Sequence, residues 1–201
     1  LIALGNRSTN RTIGALYDRF YAILDLRYPG REGYVVRTVH NPFGNGKNVV
    51  LVGGSDPIGV KSAADDFIRR LEQAEGKAGS LQIGWLADIR LGSDVVIPDD
   101  IKSVLKWDDF GWNTVTKNMA LYYLTGEERY LKEFLHLAFP DETAIKELQA
   151  TDWYYLDDES APLTTPHHYG AHMMIMYWDL IEESPLLTDE VRLRVTNAFS
   201  R

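Results

Sequence analysis

The chain contains no cysteine. That excludes disulfides, thiolate catalysis and cysteine-based zinc sites, while leaving the compartment open. Positive charge is also scarce, with 21 Lys and Arg against 29 Asp and Glu, a formal charge of -8 at pH 7 and a pI near 5.1. Nucleic acid and anionic membrane surfaces need a basic footprint, so neither is an expected partner. A local cluster of Arg and Lys can still meet an acidic polymer. No apolar run approaches the roughly 20 residues of a membrane span, and no Gly is followed by Lys-Ser or Lys-Thr, which excludes a phosphate-binding P-loop. What remains is a chain of 201 residues, 45% hydrophobic and 11% aromatic, enough to build one large or two small domains.

The stretch from Asn48 to Leu71 organises the first part. Val49 to Val52 predict a short buried strand, Gly53-Gly54 a turn, and Asp56-Pro57 the cap and first residue of a helix. Val60, Ala63, Ala64, Phe67, Ile68 and Leu71 recur at helical spacing and predict the face that packs on a sheet. A dinucleotide fingerprint would place Asp56 at its middle glycine, where a pyrophosphate approaches bare backbone and a carboxylate repels it. Pro57 blocks the short-chain reductase variant in the same way. NAD, NADP and ATP are therefore not expected to bind, and no cofactor is expected at all.

Before this unit, Leu1 to Leu4 predict a strand. Ser8, Thr9 and Asn10 offer caps for a helix carrying Ile13, Leu16, Tyr17, Phe20 and Leu24 on one face. Residues 33–39 and 48–52 predict a hairpin around the turn formers of residues 41–46. The order β, α, β, β, α closes near Ala74 and gives a small α/β domain over residues 1–75. Residues 76–110 read as an irregular linker beginning at the flexible run Glu75 to Ser80. From residue 111 to 201 the period is helical only. Helices are predicted over 113–124, 127–137, 141–148 and 166–183, with Thr188 capping a last one. The chain opens on Leu1 rather than Met and closes inside a helical pattern, so it is expected to be a piece of a longer protein whose signal peptide, if any, is lost.

The run Ala120-Leu121-Tyr122-Tyr123-Leu124-Thr125-Gly126-Glu127-Glu128-Arg129-Tyr130-Leu131 resembles the helix-turn-helix repeat of α/α-toroid carbohydrate-active enzymes. Tyr177 to Ser184, followed by Leu187-Thr188-Asp189-Glu190, looks like a second such hairpin. The first 74 residues are similar to the small α/β domain that precedes the catalytic domain of several glycoside hydrolases, through Gly53, Gly54 and Asp56. The resemblance implies an α+β chain, with a small sandwich-like α/β domain followed by an incomplete toroid. It further implies a parent enzyme of the heparinase II/III-like polysaccharide lyase or glycoside hydrolase kind, secreted or periplasmic, with a polysaccharide or oligosaccharide and the rest of the parent chain as partners. The alternative is a support or carbohydrate-binding module with no activity of its own.

The candidate site lies in residues 151–172, which gather Trp153, Tyr154 and Tyr155, the acids Asp157, Asp158 and Glu159, and His167, His168 and His172. Aromatic faces stack on sugar rings and carboxylates bind hydroxyls, so Trp153, Tyr155, Asp158 and His167 are candidates for substrate binding. A lyase acting on uronates needs a base for the C5 proton and an acid for the leaving oxygen, roles that His168 and Tyr169 can fill. A hydrolase needs two carboxyls, of which Asp157 or Asp158 supplies one. His168 and His172 share a helical face, but H-x-x-x-H lacks the Glu of a zinc-protease motif, so no metal is expected. Met173 to Met176 read as core filling.

Overall fold

The computed structural model describes residues 1–77, 80–97, 114–146, 163 and 168–200, without the side chains of residues 77, 114 and 168–171. The chain is α+β, a small mixed sheet of four strands together with helices. It divides into two units, Leu1–Val96 and Ile97–Arg201.

In the first unit Val49–Gly54 forms a strand (β3) and Pro57–Gln73 a helix (α2), with Ile2–Leu4 (β1), Arg11–Tyr17 (α1) and Tyr34–Val39 (β2) before them. Gly76–Lys77 (β4) and Ser80–Leu81 (β5) make a separate two-stranded ribbon, and Ala87–Arg90 (β6) follows. The sheet order is β1-β3-β2-β6, with β1 parallel to β3 and the other neighbours antiparallel. Side-chain alternation sends Ala3, Val35, Val39, Val49 and Leu51 to one face, where they bury with Ile13 and Leu16 of α1 and with Leu24. Val36 and Val52 face the other way, against Ala63 and Phe67 of α2. Both faces are thus covered by a helix.

Asp56 caps α2 as expected from the sequence, its side chain accepting the Gly59 N–H at 2.8 Å, and Pro57 begins the helix. Two expectations need correction. Segment 76–110 is not irregular throughout, because β6 joins the sheet beside β2 and Arg70 of α2 reaches Asp88 at 2.7 Å. A four-residue edge strand carrying Asp88 and Arg90 shows too little alternation to stand out. Helix α1 stops at Tyr17 rather than running to Leu24. Tyr21 N–H donates to Leu16 O and Phe20 N–H to Tyr17 O, which closes the helix end. Phe20 is 69% exposed instead of sharing the buried face, and Leu24 reaches the core from the connection that follows.

Among the described residues of the second unit, all regular structure is helical: Thr114–Thr125 (α3), Glu128–Ala138 (α4), a helical turn over 142–146, His168–Ile181 (α5) and Asp189–Phe199 (α6). Residues 147–148 of the predicted 141–148 helix and residues 166–167 of the predicted 166–183 helix lie outside the described residues. Thr188 caps α6, accepting the Val191 N–H at 3.3 Å, with Asp189 and Glu190 in the first turn, where the helix dipole favours them.

Candidate functional site

Among the described residues of the helical unit, the turns after α3 and after α5 account for the two sequence motifs. At the end of α3 the Thr125 hydroxyl donates to Leu121 O at 2.7 Å and accepts the Glu127 N–H at 3.1 Å. Gly126 takes φ of 72°, a left-handed conformation that favours glycine, and its N–H donates to Tyr122 O. Leu-Thr-Gly-Glu is therefore a helix stop followed by a restart. Helix α4 then buries Leu131, Phe134, Leu137 and Ala138 on one side and leaves Glu128 and Lys132 paired at its surface. In the second hairpin Arg192 donates to the carbonyls of Glu182 and Ser184, tying α6 to the end of α5.

Helix α3 differs from α4, because every residue from Val115 to Tyr123 is buried. Thr116, Lys117 and Asn118 are among them, at 0%, 6% and 7% exposure. Successive helical residues turn by about 100°, so three in a row cannot share a face, and their common burial means that α3 is enclosed all round. Helices α3 and α5 pack side by side. Their C-terminal ends lie together, since the Tyr122 hydroxyl meets Ser184 Oγ at 2.7 Å just past α5. The polar run in the first half of α3 consequently belongs at the same end of the pair as the first turns of α5.

Those first turns contain His168 and Tyr169, whose backbone is helical and whose side chains lie outside the described residues. Trp153, Tyr155, Asp158 and His167 also lie outside the described residues, as do Tyr154, Asp157 and Glu159. His172, one turn further along α5, is exposed. Of the run expected to fill the core, Met174 is fully buried, Met173 and Met176 are half-buried and Ile175 is 43% exposed. Tyr177 sits deeper in the pair, where burial, with a smaller contribution from neighbouring Tyr123, pushes its phenol up to about 12. It stays protonated at neutral pH. Asp179, on the exposed side of α5, is held above the ordinary carboxylate value by partial desolvation. Among the described residues no group of three His, Cys, Asp or Glu is placed to hold a metal ion, and no helix is long and apolar enough to cross a membrane.

Sequence reasoning missed Thr116, Lys117 and Asn118. The signal was a polar run inside V-T-K-N-M-A-L-Y-Y-L, a segment apolar enough on every side to be enclosed.

The β3–α2 turn has the outline of a phosphate cradle, but its backbone is already engaged. Asp56 accepts both the Gly59 and Glu32 N–H groups at 2.8 Å, and Ser55 Oγ accepts the Gly30 N–H at 2.9 Å. A Cβ on Gly59 would collide with the Gly33 carbonyl oxygen, so the protein's own residues 30–33 lie against the turn. The Glu32 and Gly59 amides hold the Asp56 carboxyl below its ordinary value of 3.8. No family model, curated protein or solved structure matches the chain at a significant level.

Proposed function

We propose that this chain is part of an α/α-toroid carbohydrate-active enzyme that cleaves an acidic polysaccharide by elimination. The observation that carries the reading is the enclosed helix α3, whose polar run Thr116-Lys117-Asn118 stands at the same end of the α3–α5 pair as His168 and Tyr169. An enclosed helix beside an amphipathic one, joined by a Thr-Gly stop, is what an inner and outer helix of a toroid require. A lyase of this kind neutralises the carboxylate of a uronate, which acidifies the C5 proton. His168 then takes that proton, the C4–O bond breaks as the C4–C5 double bond forms, and Tyr169 returns a proton to the leaving oxygen. A glycosidase would draw instead on carboxyls such as Asp157 and Asp158.

The test is turnover of a polyuronate by the intact parent enzyme, followed through the absorbance of the unsaturated sugar. His168→Ala should lower turnover by about two to four orders of magnitude with little change in melting temperature. Unaltered turnover in a correctly folded variant would reject the site.

A further inference from the structure

Phe20 occupies a position that helix ends normally give to glycine. The two bonds that close α1, Tyr21 N–H to Leu16 O and Phe20 N–H to Tyr17 O, place Phe20 where the chain must turn left-handed, and its φ is 62°. A bulky side chain there strains the backbone, and such strain survives where something other than folding retains the residue. The ring returns little to the fold, being 69% exposed.

Its surroundings give the ring a use. Arg19 extends its guanidinium over the Phe43 ring, 5.8 Å from the centroid, which joins the end of α1 to the β2–β3 loop. Phe43 is 37% and Tyr21 38% exposed, so three aromatic rings reach solvent from two neighbouring segments. The loop is set in advance: Asn41 Oδ1 accepts the Gly46 N–H at 2.7 Å, Asn45 Oδ1 the Lys47 N–H, and Asn48 Oδ1 the Asn41 N–H. Added Cβ atoms on Gly44 and Gly46 would meet nothing within 4 Å, so the surface beside Phe43 is open. Arg19 and the exposed Lys47 bring positive charge to these two segments of a chain whose net charge is -8.

We propose that Arg19, Phe20, Tyr21, Phe43 and Lys47 form an aromatic, basic platform on the α/β unit that binds an acidic oligosaccharide. The choice of ligand rests on the carbohydrate reading above. Ring faces stack on sugar rings, the cations meet the carboxylates, and a loop already ordered by its own asparagines loses little freedom on binding. The platform is an anchoring site carried by the α/β unit, distinct from the reacting residues proposed on the helical unit.

Titration of the whole chain with oligogalacturonate, read through amide NMR shifts and calorimetry, tests this. Shifts should gather at residues 19–21 and 41–47, and a neutral cello-oligosaccharide should bind more weakly. Phe20→Gly suits the left-handed backbone, so it should raise the melting temperature by roughly 2–4 °C while weakening binding roughly tenfold. Phe43→Ala should weaken binding by a similar factor, and Arg19→Ala should abolish the preference for the anionic ligand. Phe20→Gly that destabilises the protein, or that binds as well as the wild type, would overturn the proposal. So would tighter binding of a poly-glutamate peptide to the same amides, which would make this a protein-docking surface. Shifts confined to the helical unit reject the platform and leave the enzyme reading intact. Shifts at the platform with an inactive parent enzyme do the reverse.

Discussion

Among the described residues both units bury large side chains, but only the α/β unit also brings main chain directly against main chain. In the α/β unit the turn region is knitted by bare backbone. A Cβ on Gly53 would strike the Gly5 carbonyl, one on Gly54 would lie 2.6 Å from Gly59 C, and one on Gly33 would lie 2.6 Å from Gly92 N. In the helical unit the same work falls to large side chains, with Phe134, Met119, Leu137 and Met174 fully buried. The glycine-lined contacts are sensitive to atoms added and the helical core to atoms removed. The difference follows from the elements themselves: strands and a helix start can bring main chains into contact, whereas helices keep their axes about 8–10 Å apart and fill the gap with side chains.

Three measurements sharpen the contrast, taken from the largest effect down. Phe134→Ala removes a fully buried ring that packs 6.1 Å from Trp178 and should cost about 3–5 kcal/mol in denaturant melts. A smaller loss would mean that the helices close up around the gap. Gly53→Ala adds one methyl where a carbonyl already stands and should cost about 3 kcal/mol. Its control is Gly84→Ala, at a glycine with no neighbour within 4 Å of the added atom, which should stay within about 0.5 kcal/mol of wild type. Equal losses at Gly53 and Gly84 would dissolve the comparison. Asp56→Ala, which removes a helix cap, should cost about 1–2 kcal/mol at neutral pH. Because the Glu32 and Gly59 amides depress the native value, that contribution is full above the ordinary carboxylate value of 3.8 and fades as the pH falls through the lower native one. The stabilities of wild type and variant should therefore converge in acid, and a gap that persists there would show that the carboxylate charge is not what matters.

Much of this architecture is legible in the sequence, and for identifiable reasons. Val49 to Leu71 carries a buried run, an Asp cap and a helical stripe whose local preference and tertiary role largely coincide. Gly53 and Gly54, expected to turn the chain, instead extend β3 and pair with Val35 and Tyr34, and Ile68 of the stripe is 50% exposed. Thr125-Gly126 and Thr188 mark helix boundaries by the same logic. Three things were hidden. Strand β6 is four residues long and pairs on one side only. The end of α1 is concealed because Phe20 stands where glycine would have announced it. The burial of Lys117 and Asn118 depends on what surrounds α3, which no periodicity within α3 reveals. Of the candidate site, Trp153, Tyr155, Asp158 and His167 fall outside the described residues, and the start of a helix at His168 is what the sequence anticipated most closely.

An enclosed helix also constrains how the sequence can change over time. On α4 or α6 a substitution has exposed positions such as Lys132 or Leu193 to fall on, and drift can run along that side while the buried stripe is kept. From Val115 to Tyr123 there is no such side. Any lineage that alters one of these residues must repair the consequences in a neighbouring element, so α3 should change by linked pairs of substitutions where its partners change one residue at a time.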